Sequence, residues 1–295
     1  MANQSEGEVQ RFGWVVDQVN RETMDARIRT TVSAPGWQRS LGMLLALGEP
    51  LECLQVAEVG CGSGTHALTL NLLGATTTLI DADAAALAVA QAAFHLYGRT
   101  GTFHQANVLD PVPAALVGRF HYVVSGGLAE HFRGPDRVTC LAFHRALLRP
   151  GGVTHIGVPN RLSPFYQLVR GVRILTGTWE LDVEVPFSPG ELRALARAAG
   201  FARAVVRGNY PLQRDAKDYL LGLASALLAL TPGLRRRLRQ VRTATATPPS
   251  GTDSPSDVGA VVAAALSAVQ RARNAPARRG LTDVFSAGLI LHGFG

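Results

Sequence analysis

The feature that most restricts the fold of this chain is a regular alternation of short β-type runs and helical segments between residues 54 and 158. The predicted strands are Leu54–Val59, Thr76–Ile80, Thr102–Gln105, Tyr122–Ser125 and Val153–Val158, and the predicted helices are Thr65–Leu73, Ala84–Tyr97 and Asp136–Leu148. Consecutive strands that are joined through a helix pair in parallel. The alternation therefore predicts an α/β protein built on a parallel sheet.

Segments with other patterns flank this alternating region and predict the organisation of the chain. Residues 1–50 are predicted to form a helical region, and residues 51–210 the core, with a lid at 161–186. Residues 211–280 are predicted to be a helical insertion rich in arginine, and 281–295 to supply the final strand of the core. The surplus behind the formal net charge of +7 lies in that insertion. Without a basic surface over the core, the sequence argues against a nucleic-acid partner.

Targeting and metal signals are weak in this sequence. The polar start, Met1–Glu8, and the lack of any run of 18 apolar residues favour a cytoplasmic protein without a membrane span. Its three cysteines lack metal-ligand spacing, so no metal site is expected. The apolar run Leu220–Leu230, followed by several arginines, is compatible with either contact to an anionic membrane surface or a lid helix with a solvated basic end.

A glycine-rich turn at residues 56–65, VAEVGCGSGT, joins the first predicted strand to its helix. Glycines permit positive φ and close approach of backbone N–H groups to a ligand, and a helix N-terminus favours negative charge. The fingerprint of dinucleotide-binding proteins requires glycine or alanine at position 65, where this chain has Thr65. The turn therefore predicts a nucleotide-like ligand and disfavours NAD(P).

With Glu58 placed two residues before the first glycine, this turn resembles the E/D-x-G-x-G-x-G motif of class I S-adenosylmethionine-dependent methyltransferases. Further segments resemble that family in the same order: LID at 79–81, FHQANV at 103–108, FHYVVSGGLAEHF at 120–132, LLRPGG at 147–152 and VPN at 158–160. The likeness extends from Leu54 to Ala204 and is greatest to small-molecule enzymes of the ubiquinone, menaquinone and natural-product type. The N-P-P-Y signature of base or amide nitrogen methylation is absent.

The resemblance implies a Rossmann-like fold with a seven-stranded, mainly parallel sheet whose last strand is antiparallel. It implies S-adenosyl-L-methionine as cofactor and S-adenosyl-L-homocysteine as product. Asp81 would accept both ribose hydroxyls, and Asn107, or alternatively Asp110, would accept the adenine amino group. The residues expected to bind the cofactor are Glu58, Gly60, Cys61, Gly62, Gly64, Asp81, Ala82, Asn107, Val108, Ser125 and Gly126.

The chemistry that this resemblance implies is an in-line displacement, which depends mainly on positioning the acceptor. An acceptor that must lose a proton also needs a base, and His131, just past the fourth predicted strand, is the candidate. The alternative for His131 is a packing role beside Glu130. The aromatic residues Trp14, Phe165, Tyr166 and Trp179 would either line an acceptor pocket or pack in the core. The other histidines, His66 among them, are expected to be structural.

The sequence therefore predicts an enzyme of the EC 2.1.1 class that methylates O, N or C of a small molecule, in secondary-metabolite or quinone-like biosynthesis. Two other functions stay open at this point. One is a methyltransferase-like protein that binds S-adenosylmethionine without transferring its methyl group, either for a cyclisation or as a partner subunit. The other is an NAD(P)-dependent oxidoreductase. The oligomeric state is also left open.

Overall fold

The computed structural model describes residues 19–175, 184–209, 258–259, 262–264, 266–267, 286 and 288–295. Trp14, Trp179 and most of the predicted insertion 211–280, including Leu220–Leu230, lie outside these residues. In the part of the chain that is described, no helix is both long enough and apolar enough to cross a membrane.

Seven helices and seven strands of more than three residues make up the described fold. The helices are α1 (Arg21–Ser33), α2 (Pro35–Leu45), α3 (Thr65–Leu72), α4 (Ala84–Leu96), α5 (Pro135–Leu147), α6 (Pro164–Leu175) and α7 (Pro189–Ala198). The strands are β1 (Gln55–Val59), β2 (Thr76–Asp81), β3 (Thr102–Gln105), β4 (Phe120–Gly126), β5 (Leu148–Pro159), β6 (Arg203–Gly208) and β7 (Gly288–Phe294).

These strands form one sheet in the order β3-β2-β1-β4-β5-β7-β6, in which only β7 runs antiparallel to its neighbours. The predicted fold class is confirmed. The chain moves outward from β1 to β3 on one side and continues through β4 and β5 on the other. Open α/β sheets bind ligands at the strand carboxyl ends where the order reverses, which here is the gap between β1 and β4.

Apolar layers cover both faces of the sheet, because successive strand residues point to opposite sides. On β4, Tyr122 and Val124 pack in the layer formed with helices α1 to α4. Val123 packs in the opposite layer, with α5 and α7. Val258 and Val262, from the predicted insertion, are buried in the first layer. The rigid sheet thus holds the strand ends in fixed relative positions.

Local interactions set several of the helix boundaries. Asp83 caps α4 by accepting a hydrogen bond from the Ala85 N–H at 2.8 Å, and Ser188 forms a capping box with Glu191 at the start of α7. Gly200, with φ of 85°, ends α7. The first part of the predicted lid segment, 161–186, forms the amphipathic helix α6.

Candidate functional site

A cavity of about 1500 Å³ opens at the carboxyl ends of β1 to β4, with helix α1 on its side. Ten of the residues predicted for the site lie on its wall: Glu58, Gly60, Cys61, Gly62, Asp81, Ala82, Asn107, Val108, Gly126 and His131. The structure therefore brings most of the predicted site residues together at the ends of four strands, β1 to β4. Gly64, Ser125, Phe165 and Tyr166 are not on this wall.

The glycine turn after β1 requires glycine because of both backbone conformation and space. Gly60, Gly62 and Gly64 have φ values of 61°, 49° and 68°, which other residues rarely adopt. A Cβ atom on Gly64 would lie 2.6 Å from Leu79 Cδ2, so Gly64 packs α3 against β2 instead of facing the cavity. A Cβ atom on Gly62 would meet no atom within 4 Å, which leaves that part of the turn open to a ligand.

Asp81, at the end of β2, faces the cavity with its carboxylate already oriented. Its Oδ2 accepts from the Gly62 N–H at 3.1 Å, and its Oδ1 accepts from the Asp83 N–H at 3.0 Å. Each carboxylate oxygen can accept a second hydrogen bond. The side chain therefore suits the predicted contact with a vicinal diol.

The predicted adenine contact lies farther along the same wall. Asn107 Oδ1 accepts from the Leu109 N–H at 3.0 Å and keeps a further acceptor position. Asp110, the alternative from the sequence, is exposed and does not line the cavity. This placement favours Asn107 over Asp110.

Besides Gly64, three of the predicted site residues lie off the cavity wall. Ser125 is 1% exposed, and its Oγ bonds His144 Nε2 at 2.9 Å. Burial lowers the pKa of His144 to about 4, so the ring is neutral and accepts this hydrogen bond. Tyr166 donates its hydroxyl to Glu184 Oε2 at 3.0 Å, and its neighbour Phe165 is also away from the cavity. The predicted aromatic pocket is therefore not formed by these two residues.

Cys61 lies in the glycine turn and contributes no nucleophile. Burial, together with the carboxylates of Glu58 and Asp81, raises the pKa of its thiol far above the ordinary value. The group stays protonated, as expected for a small residue that fills the turn.

Helix α1 brings to the cavity an arginine that the sequence analysis did not single out. Arg27 donates from Nη1 to Ser63 Oγ at 3.0 Å, beside the glycine turn, and both residues line the cavity. A guanidinium group is well suited to bind a carboxylate. Because α1 packs here only in the folded protein, no local pattern indicated this residue.

His66 is also on the cavity wall, so its expected purely structural role does not fit its position. Its Nδ1 lies 3.2 Å from Glu58 Oε1, and its side chain is 28% exposed. Behind it, Ser40 bonds both His155 and His292, and burial lowers the pKa of both imidazoles, that of His292 to about 3. These two histidines are therefore buried and neutral, and each is hydrogen-bonded to Ser40.

His131 follows β4 in a short 3₁₀ turn, Ala129–His131, and lines the cavity. Buried Glu130 and Glu184 lie beside it, and one ligand atom from each of the three residues lies within 4.8 Å of the others. The Val185 N–H donates to the Glu130 carbonyl at 2.9 Å, which ties this turn to the lid segment. The sequence indicated no metal site. Carboxylate and imidazole groups are, however, common ligands of divalent cations in proteins.

Glu130 is expected to make stability depend on pH. Burial raises the pKa of its carboxyl to about 8, and the carboxylate of Glu184 acts in the same direction. Since this folded pKa is above the unfolded value, ionisation of Glu130 costs stability progressively as pH rises toward 8. The gain in unfolding free energy of Glu130→Gln over wild type should therefore be about 3 to 4 kcal/mol larger at pH 8 than at pH 5.

Urea unfolding at the two pH values measures this difference, and substitution of the exposed Glu52 by glutamine is the matched control. Equal effects of Glu130→Gln at pH 5 and pH 8 would show that the carboxyl is not held in its protonated form.

The known proteins that this chain resembles are methyltransferases. A family model described as a methyltransferase domain matches residues 56–152. The ubiquinone biosynthesis O-methyltransferase of Thiobacillus denitrificans is 32% identical over 167 residues, which cover 54% of this chain and 69% of that protein. The protein of the same name from Cereibacter sphaeroides is 30% identical, over 51% of this chain and 61% of its own length.

Among solved structures, an S-adenosylmethionine-dependent methyltransferase from Archaeoglobus fulgidus aligns with a TM-score of 0.51 at 12% identity, covering 94% of this chain and 95% of that one. Phosphoethanolamine N-methyltransferase 2 of Haemonchus contortus, in complex with S-adenosyl-L-methionine, aligns with a TM-score of 0.50 at 17% identity, over 92% and 57% of the two chains. At these identities the likeness concerns the fold.

Proposed function

Because this chain belongs to the class I S-adenosylmethionine-dependent methyltransferases, we propose that it methylates a hydroxyl oxygen of a small, phenol-like or quinol-like acceptor. The observation that carries the proposal is the single cavity wall on which Asp81, Asn107 and the glycine turn lie together with His131. The curated relatives are named O-methyltransferases, which supports oxygen as the acceptor atom.

Different residues along this wall would bind the methyl donor and the acceptor. Asp81 and Asn107 would hold the ribose and the adenine, and Arg27 would bind the carboxylate of the methionyl group. When bound, S-adenosylmethionine supplies an electrophilic methyl group on a sulfonium. The remaining wall, with Leu128, His131 and Phe132, is left for the acceptor.

His131 would take the proton from the acceptor hydroxyl. Its side chain lines the cavity, where the acceptor hydroxyl would meet the imidazole. Apolar Leu128 and Phe132 on either side of its turn would exclude water from the reacting oxygen. Holding the oxygen in line with the methyl group then provides most of the rate enhancement.

Methyl-transfer assays test this proposal directly. The protein is incubated with methyl-labelled S-adenosylmethionine in three parallel reactions. Their acceptors are simple catechols, primary amines and thiols of similar size. We expect release of S-adenosylhomocysteine, with a matching gain of one methyl group, to occur with the catechols. Donor binding without transfer to any acceptor class, or transfer to amines alone, would contradict O-methylation.

A further inference from the structure

Glu58, the acidic residue of the glycine-turn motif, lines the cavity next to a histidine. Its Oε2 accepts from the Ala67 N–H at 2.7 Å, and its Oε1 accepts from His66 Nδ1 at 3.2 Å. Glu58 is 4% exposed, whereas the His66 side chain is 28% exposed and lines the cavity. A ligand that approaches this carboxylate from the cavity therefore meets the imidazole beside it.

The hydrogen bond to Glu58 determines what His66 presents to a ligand. A carboxylate can only accept, so in the neutral imidazole the proton is on Nδ1 and the lone pair is on Nε2. Within the described part of the chain, no hydrogen bond to Nε2 of His66 is found. The ring thus offers one hydrogen-bond acceptor at the cavity wall.

His66 also lies on a defined side of the cavity. Its Cε1 is 3.6 Å from where a Cβ atom on Gly126 would be, and its ring centroid is 6.4 Å from that of His155 on β5. Asp81 and Asn107, which suit the nucleoside, follow β2 and β3 on the other side of β1. A methyl donor anchored through its nucleoside therefore extends its amino-acid end toward β4, where His66 lies.

We propose that His66 binds the α-ammonium group of the methionyl part of S-adenosylmethionine through Nε2, with Glu58 holding the ring in place. The inference rests on the family's methyl donor and on the orientation described above. The ammonium donates to a neutral ring that is backed by a carboxylate, and hydrogen bonds to charged groups are stronger than neutral ones. Arg27, beside Ser63 on the same wall, would meet the carboxylate of the same amino acid.

Titration calorimetry with two ligands tests the assignment: S-adenosylhomocysteine and its desamino analogue, in which hydrogen replaces the ammonium group. We expect His66→Ala to weaken binding of S-adenosylhomocysteine about tenfold or more and to leave binding of the analogue unchanged. His95→Ala, on the exposed surface of α4, is the matched control and should change neither ligand.

Equal losses for the two ligands, or full affinity for S-adenosylhomocysteine in His66→Ala, would overturn the role of His66. Normal affinity with a reduced kcat would likewise overturn it, because His66 would then act on the acceptor. If the unmodified protein does not bind S-adenosylhomocysteine, the donor assignment itself fails, and the inference with it.

Discussion

Replacing Asp81 by alanine is expected to weaken binding of S-adenosylhomocysteine on the order of 100-fold, because two hydrogen bonds from ribose hydroxyls to a carboxylate are lost. The same carboxylate accepts from the N–H groups of Gly62 and Asp83, so the turn also loses its support. Calorimetry on the folded variant measures the loss. Asp110→Ala, which removes an exposed carboxylate off the cavity wall, is the matched control.

The conservative variant separates the two contributions of Asp81. Asp81→Asn keeps one carbonyl oxygen, so its affinity should lie between those of wild type and Asp81→Ala. Thermal unfolding without ligand shows whether the turn is intact. Unchanged affinity in a folded Asp81→Ala protein would exclude Asp81 as the ribose ligand, and an equal loss in Asp110→Ala would place the nucleoside elsewhere on the wall.

Replacing His131 by alanine is expected to lower kcat about 100-fold with a hydroxyl acceptor while donor affinity stays nearly unchanged, because proton removal matters chiefly in the transition state. His131→Gln preserves hydrogen bonding but cannot act as a base, so it should be as slow as His131→Ala. Steady-state assays measure kcat, and calorimetry with S-adenosylhomocysteine measures the donor affinity.

Different outcomes would assign His131 a different role. Near-normal kcat in both variants would mean that positioning alone drives the transfer, whereas loss of donor affinity would put His131 in the cofactor site. Its proximity to Glu130 and Glu184 adds a third outcome. Activity that is lost on chelation and restored by a divalent cation would show that His131 is a metal ligand and would contradict its role as the base.

The parts of the fold and of the site that could be predicted depend on residues that are close together in the chain. The strand and helix periods anticipated the five parallel strands, and the glycine turn was recognisable because its positive φ values require glycine. Asp81 was identified through the family resemblance, which expects an acidic residue after the second strand, and it ends β2. The seven-stranded order with an antiparallel β7 followed from the family resemblance, since β7 is distant from β5 in the chain.

The parts of the site that were missed depend on contacts between distant residues. Arg27 meets Ser63 across 36 positions, and Tyr166 is turned away from the cavity by Glu184, 18 positions later. His66 is only eight residues from Glu58, but a histidine after a glycine turn can point in several directions until α3 packs on β1 and β2. Periodicity, capping and φ preferences act over a few residues and are written in the sequence itself, whereas the direction of a side chain is decided by which helices pack around it in the folded protein.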